Sequence, residues 1–136
     1  MPRPPPSLRF LNPPTLSPPA GYSHVAEATG GRILFLSGQV ALEAAGKLVG
    51  PNDLAAQARQ VFKNIQAGLQ AAGTDFAHVV KLTYYLVDAS QIAVVREVRD
   101  QFVDTKHPPA STAVEIRRLV REDFLIEVDA VAIAPA

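Results

Sequence analysis

The stretch HPPASTAVEI, residues 107–116, combines a rigid Pro-Pro pair with two small hydroxyl residues and a β-type run. Proline fixes its own φ angle and disfavours the helical region for the residue before it, so the pair predicts an abrupt start to a strand. A stiff strand start can aim one side chain into a cleft. Ser111 is the residue best placed for that role, and it offers a hydroxyl without a charge.

The sequence lacks most other residue patterns that carry chemistry. It has no cysteine, which excludes disulfides, thiolate nucleophiles and cysteine-bound zinc. The three histidines, His24, His78 and His107, are not spaced as metal ligands are. Gly30 and Gly31 are better explained as a turn than as a phosphate-binding loop. No Ser-His-acid set follows from spacing.

Length and charge limit the kind of protein this is. The chain has 136 residues, 48% of them hydrophobic, which predicts one globular domain. Thirteen basic and thirteen acidic side chains cancel, so nothing in the charge favours a nucleic-acid or anionic-membrane partner. No apolar run, that of residues 33–36 included, is long enough to span a bilayer, and no signal peptide is recognisable. We expect a cytoplasmic protein.

Eight of the twelve prolines fall within the first nineteen residues. This composition predicts an extended Pro-rich arm over residues 1–19, with polyproline character rather than a packed element, followed by a single domain over residues 20–136. We expect the arm to lie over the domain or to stay loose. A PxxP motif for a partner is the alternative.

The elements that would position Ser111 begin with two strands. Residues 22–28 alternate weakly, and a Gly30-Gly31 hairpin joins them to RILFLSGQV, residues 32–40. The consecutive apolar residues of the second strand predict burial on both of its faces. A short strand over residues 47–49 follows within a loop.

Two amphipathic helices come next. The first begins at a cap formed by Asn52 or Asp53 and ends at Gly73, and the second covers residues 89–103 with Ser90 as its cap. The apolar stripe of the first helix comprises Leu54, Ala58, Val61, Phe62, Ile65, Leu69 and Ala72, with Gln57, Gln60, Lys63, Asn64 and Gln70 elsewhere. The second clusters Val94, Val95, Val98 and Phe102.

Three further strands are predicted over residues 79–87, 111–116 and 124–134. The order β-β-(β)-α-β-α-β-β predicts an α+β sandwich with two helices on one face of a mixed sheet. The other face would carry Val79, Tyr85, Leu125, Val131 and Ile133. That face is too apolar to meet water, so we expect self-association, with ligand clefts between subunits.

Several motifs occur together in the order typical of one family: LSGQV, GKLVG, QARQVFKNIQAGLQAAG, VVKLTYYLVD, HPPASTAVEI and IEVDAVA. Over residues 19–134 the chain resembles the RidA/YjgF family of reactive-intermediate deaminases, also called L-PSP endoribonucleases. The resemblance implies a chorismate-mutase-like fold and a homotrimer with three interfacial clefts. It also implies hydrolysis of small enamines and imines to ammonia and a 2-keto acid, with no metal or organic cofactor.

One position departs from the family pattern. The signature strand reads Pro-Ala-Arg-Ser, and its arginine binds the carboxylate of the 2-imino acid through a bidentate pair. Here the matching residues are Pro109, Ala110, Ser111 and Thr112, so Ser111 stands at the arginine position. Losing such a contact costs on the order of 2–4 kcal/mol. We do not expect efficient turnover of ordinary 2-imino acids, and the chain resembles a subgroup that lacks the arginine.

The resemblance assigns further site residues. Glu127 matches the acidic residue that positions the attacking water, Tyr22 a tyrosine that lines the pocket, and Ser37 and Gly38 a turn whose backbone meets the ligand. Thr112 would contact the ligand beside Ser111. Glu127 as an edge carboxylate paired with a base, and Tyr22 as a packed strand residue, remain open alternatives.

Arg96 is a candidate replacement for the missing charge. It falls near a pocket asparagine of the family, on the second helix, from which a guanidinium could reach the cleft. A solvated surface arginine is the alternative, as it is for Arg117, Arg118 and Arg121.

Three functions therefore stay open. The first is a hydrolase acting on a small enamine, imine or related metabolite, with Glu127 and a water performing the chemistry. The second is a trimer that binds a metabolite at the same cleft without turnover. The third, ranked last, is an RNA-acting protein, for which the charge balance gives no support.

Overall fold

The computed structural model describes residues 7–136, and it has the predicted α+β architecture. The strands are β1 (Ser7–Leu11), β2 (Val25–Thr29), β3 (Arg32–Gln39), β4 (Val79–Leu86), β5 (Ala110–Glu115) and β6 (Ile126–Ala134). The helices are α1 (Leu54–Ala71) and α2 (Ile92–Arg99). One 3-10 turn, Phe76–His78, precedes β4, and another, Ala89–Gln91, precedes α2. A mixed four-stranded sheet has the order β3-β6-β4-β5, with β4 and β5 parallel.

The register of β4 against its neighbours assigns side chains to the two faces of this sheet. Tyr84 pairs with Ala113 of β5, and both face the helices together with Leu82 and its partner Ser111. Tyr85 pairs with Glu127 of β6 on the opposite face. This open face has no helix over it within residues 7–136.

Helix α1 supplies most of the core, as its apolar stripe predicts. Asp53 caps it by accepting a hydrogen bond from the Ala56 N–H at 3.0 Å, and Gly73 follows its end with a φ of +79°. Gln57 is an exception, because the sequence placed it off the stripe and it is fully buried. Its side-chain amide donates to Gly50 O at 3.1 Å and accepts from the Leu125 N–H at 2.8 Å.

Replacing Gln57 with alanine should lower the free energy of unfolding by about 2–4 kcal/mol, because three backbone groups would lose a buried partner. The third is Asp123 O, which accepts from Gln57 Nε2 at 3.0 Å. Urea denaturation measures the loss. The matched control is Gln70→Ala on the exposed face of the same helix. Equal stability of the two variants would contradict the assigned role.

The first two strands form a ribbon separate from the main sheet. β1 pairs antiparallel with β2, and Arg9 forms an ion pair with Glu27 at 3.1 Å. The prediction of an unpacked arm is therefore wrong for Ser7–Leu11, a stretch that contains no proline and can pair through all its N–H groups. Residues 1–6 of the predicted arm lie outside the described residues, and the domain boundary at residue 20 stays a prediction.

The predicted hairpin at Gly30 and Gly31 is only a turn, because the strands on either side of it, β2 and β3, do not pair with each other. Gly30 and Gly31 both have positive φ, at +77° and +84°, as a tight turn requires. The strands they join belong to different sheets, because β3 pairs with β6 instead of β2. The strand predicted over residues 47–49 is reduced to a single bridge between Leu42 and Leu48.

Strand β3 corrects the prediction that it would be buried on both faces. Leu34 and Leu36 pack against the core, whereas Ile33 and Phe35 on the other face are 61% and 80% exposed. β3 is an edge strand, and within residues 7–136 α1 covers only one side of it. An aromatic and an aliphatic side chain are thereby left in contact with solvent.

One residue predicted for the open face lies on the core side instead. Val79 turns towards the core, because the pairing of β4 with β6 shifts between Val79 and Lys81. Ile133 lies on the open face, across from Ile33 of β3, but is only 6% exposed. The other three, Tyr85, Leu125 and Val131, are partly exposed.

Helix α2 is shorter than predicted, ending at Arg99 instead of near residue 103. Its cap also differs, because Asp88 rather than Ser90 begins the preceding 3-10 turn. The Asp88 carboxylate accepts from the Ser90 N–H at 3.0 Å. Val95 and Val98 face the core as expected. In the part of the chain that the structure describes, neither helix is long and apolar enough to cross a membrane, and the cytoplasmic location stays a prediction.

Candidate functional site

A cavity of about 250 Å³ opens between α2, strands β4 and β5, and the segment before β2. Its polar lining residues are Tyr22, Tyr84, Arg96, Arg99 and Ser111. The remaining lining side chains are aliphatic, from Ala20, Ile92, Val95 and Ala113. The volume suits a small metabolite, since sites for drug-sized ligands occupy roughly 300–1,000 Å³. Among the residues that the structure describes, two guanidinium groups and no carboxylate line this cavity.

The Pro-Pro pair positions two of these residues. The Ser23 N–H donates to Pro109 O at 3.1 Å, and the Ser23 hydroxyl donates to Pro108 O at 2.5 Å. These bonds fasten the segment before β2 to the start of β5, which places Tyr22 beside Ser111 in the cavity wall. The stiff strand start therefore does aim Ser111 into a cleft.

Helix α2 contributes the positively charged wall. Ile92, Val95, Arg96 and Arg99 have the i, i+3, i+4, i+7 spacing of one helix face, and all four line the cavity. Among residues 7–136, no carboxylate lies within ion-pair distance of Arg96. Arg99 forms an ion pair with Asp100 at 2.9 Å. Arg96 lines the cavity and is exposed, so its role in ligand binding stays a prediction beside the alternative of a solvated surface residue.

Tyr84 reaches the cavity from β4. Its hydroxyl is buried and has no hydrogen-bond partner in the described part of the chain. Burial raises the pKa of Tyr84 well above its usual range, and the positive charge of Arg99 offsets part of that rise. The phenol therefore stays protonated at neutral pH and can donate a hydrogen bond.

Glu127 lies on the open face of the sheet, away from this cavity. It lies on β6 beside Gly38 of the neighbouring strand β3, so close that a side chain at Gly38 would overlap its carboxylate. Burial raises the pKa of Glu127 above its usual value, and the nearby charge of Asp129 raises it further. Ser37 is exposed next to Gly38 on the same strand.

Thr112 also faces outward. It pairs with Thr83 on the open face, and its hydroxyl accepts a hydrogen bond from Lys81 Nζ at 2.6 Å. Successive residues of a strand point to opposite faces, so Thr112 cannot share the cavity with Ser111.

The structure thus divides the predicted site residues into two groups. Tyr22, Ser111 and Arg96 meet in the cavity. Gly38, Thr112 and Glu127 are on the open face, and Ser37 is exposed in the part of β3 where the strand pairing is irregular. Arg99 and Tyr84 also line the cavity and were not predicted from the sequence. The spacing of Arg99 from Ile92 and Arg96 on one helix face could have indicated Arg99. Tyr84 could not be placed in the cavity without knowing how β4 pairs with β5, which sets Tyr84 beside Ala113. Within residues 7–136, no three His, Asp or Glu side chains converge as a metal site requires.

Comparison with known proteins gives consistent matches across nearly the whole fold. A sequence model of the family Endoribonuclease L-PSP matches residues 14–134. Protein DfrA of Myxococcus xanthus is 38% identical over 113 residues, covering 83% of this chain and 85% of DfrA. The 2-iminobutanoate/2-iminopropanoate deaminase of Bos taurus is 35% identical over 103 residues, covering 75% of this chain and 73% of the bovine protein.

A solved structure shows the same fold. The crystal structure of YyfB, a protein of the conserved Rid family from Yersinia pestis, superposes with a TM-score of 0.84 at 36% sequence identity. The match covers 93% of this chain and 98% of the Yersinia chain.

Proposed function

The chain belongs to the RidA/YjgF family, whose sequence model is that of the L-PSP endoribonucleases, and from this premise we propose that it hydrolyses a small imine or enamine at a cleft between subunits of a homotrimer. The observation that carries the proposal is the cavity in which Ser111, Tyr22 and Arg96 meet. The bovine relative is named for the deamination of 2-iminobutanoate and 2-iminopropanoate, which are small enough to enter the cavity.

The reaction needs only water. Water adds to the imine carbon, the resulting carbinolamine loses its nitrogen as ammonia, and a carbonyl group remains. A carboxylate that accepts a proton from the attacking water accelerates the first step. Glu127 is our candidate for this role, and its pKa, raised by burial, makes it a stronger base than an ordinary glutamate.

A second subunit completes the site in this proposal. Within one chain Glu127 and Ser111 lie on opposite faces of the sheet, so one chain cannot bring them to the same ligand. The exposed side chains of Ile33 and Phe35 lie on the face that carries Glu127, opposite Ile133 and Val131 of β6. Packing this face against the cavity side of a second copy would bury them and bring Glu127 of one subunit to the cavity of the next.

Ser111 changes how the substrate is held. A hydroxyl at this position gives one neutral hydrogen bond in place of a bidentate ion pair, so β5 contributes less to binding an anionic substrate than it does in relatives with arginine. Ordinary 2-imino acids should accordingly be poorer substrates unless a positive charge comes from another element. Arg96 is the exposed cationic group in the same cavity wall.

The protein should accelerate the loss of 2-iminobutanoate generated in situ from 2-aminobutanoate by an amino-acid oxidase, with the remaining imine trapped by semicarbazide. Arg96→Gln should raise KM by roughly 3- to 30-fold, because a charge-assisted contact is lost. Arg117→Gln is the matched control, since Arg117 is exposed and outside the cavity lining. Imine loss at the rate seen in buffer alone would contradict the hydrolase.

A trimer that binds a metabolite without turnover is the second candidate. It is favoured by the separation of Glu127 from the cavity within one chain, which leaves the cavity without a lining carboxylate. Its signature is binding of 2-oxobutanoate, the keto-acid product, by a protein that leaves the imine untouched.

A further inference from the structure

Arg99 is a buried cation that is only partly used by the protein. It is 6% exposed, and its Nε and Nη2 both approach the same oxygen of Asp100, Oδ1, at 2.9 Å. In the described part of the chain its Nη1 has no acceptor. A guanidinium carries five N–H donors in a planar fork, so most of them remain available in the cavity wall.

Gly21 fixes where this guanidinium lies. Its φ is +76°, and a side chain there would overlap Arg99 Nη2. The backbone before β2 therefore packs directly on the planar group. Arg99 is consequently held in place before any ligand binds, which lowers the side-chain entropy lost on binding.

The Tyr84 hydroxyl makes the same cavity wall incomplete without a ligand. Tyr84 is 2% exposed, and its hydroxyl lacks a hydrogen-bond partner among residues 7–136, which is unfavourable for a buried hydroxyl. The neighbouring Arg99 guanidinium has donors and no acceptor, so what the Tyr84 hydroxyl lacks is an acceptor for its O–H. An anionic oxygen beside Arg99 would supply one.

The charge and size of the cavity select the kind of anion. Asp100 offsets one of the two guanidinium charges, leaving about one net positive charge, and aliphatic side chains form the other walls. We propose that Arg99, Arg96 and Tyr84 bind the carboxylate of a small monocarboxylic acid with a short aliphatic chain. The anion site then lies on α2 and β4, and Ser111 of β5 contacts the other end of the ligand. This inference rests on the proposed function of the same cavity.

Opposite charge changes on adjacent residues test it. The probe is 2-oxobutanoate, titrated into ¹⁵N-labelled full-length protein and followed by chemical shifts. Arg99→Gln should weaken binding by about 10- to 100-fold, whereas Asp100→Asn, which frees the guanidinium from its counter-ion, should tighten it by about 2- to 10-fold. Arg59→Gln on α1 and Glu97→Gln on α2 are the controls for the same charge changes at exposed residues outside the lining.

Tyr84→Phe keeps the proposal testable if Arg99→Gln does not fold. Removing an unpartnered hydroxyl should leave thermal stability unchanged or higher, and yet weaken 2-oxobutanoate binding by about 3- to 10-fold. If Tyr84 had only a structural role, replacing it would not weaken binding while leaving thermal stability unchanged or higher.

Neutral and dianionic probes complete the test. The amide 2-oxobutanamide and inorganic phosphate should each bind at least tenfold more weakly than 2-oxobutanoate. Equal binding of the amide would overturn the carboxylate site. So would the absence of both expected effects, tighter binding by Asp100→Asn and weaker binding by Arg99→Gln. Binding does not depend on turnover, so a protein that binds as expected but leaves imines intact contradicts the hydrolase alone.

Discussion

Phe35→Asp should convert the proposed trimer, with three times the 14.6 kDa mass of the chain, into a monomer. Phe35 is 80% exposed on the open face of β3, next to Ile33, and a carboxylate there would have to be buried in the proposed interface. A three-fold assembly repeats the substitution at each interface, so its effect is multiplied. Sedimentation velocity at micromolar concentration measures the change.

Val120→Asp is the matched control, because Val120 is 81% exposed but lies in the loop between β5 and β6, outside the sheet. It should leave the trimer intact. A monomeric wild type, or a trimeric Phe35→Asp protein, would contradict the interface.

The same variant separates binding from chemistry. The cavity is built within one chain, so monomeric Phe35→Asp should still bind 2-oxobutanoate. Imine hydrolysis should fall to the uncatalysed rate if Glu127 must come from a second subunit. A fully active monomer would show that the water is activated from within the chain.

Local patterns predicted most of the helices and strands but not which strands pair with each other. Asp53 and the stripe from Leu54 to Leu69 specify α1 through contacts within the helix, and the alternation in β4 specifies which face holds Tyr84. β1 was missed because the surrounding prolines dominate the composition of residues 1–19. Burial of Val79 depends on an irregularity in strand pairing, which no local pattern reports.

The candidate site shows the same limit. Ser111 was predicted from the Pro-Pro pair and Arg96 from a resemblance, and both line the cavity. Arg99 was not predicted, because its packing against Gly21 joins positions that lie 78 residues apart in the chain. The separation of Glu127 from Ser111 follows from the sheet register, which the sequence alone does not determine.

Glu127→Gln should lower kcat for 2-iminobutanoate by about 100-fold or more, since general-base catalysis typically contributes 10²–10⁴-fold. Only the ionised carboxylate accepts a proton, so the wild-type rate should fall as pH falls through the pKa of Glu127. Burial raises that pKa, which places the loss of activity at a higher pH than for an ordinary glutamate. Asp129→Asn should shift this limb to lower pH, because it removes the neighbouring charge.

Stability measurements distinguish lost chemistry from a damaged fold. The folded protein raises the pKa of Glu127, so folding disfavours its charged form, and this small unfavourable effect is present above the ordinary pKa of glutamate. Glu127→Gln removes it and should leave the free energy of unfolding at pH 7 unchanged or higher. Glu122→Gln, an exposed carboxylate near β6, should change neither kcat nor the pH profile. A Glu127→Gln protein that is stable and still active would exclude Glu127 as the base.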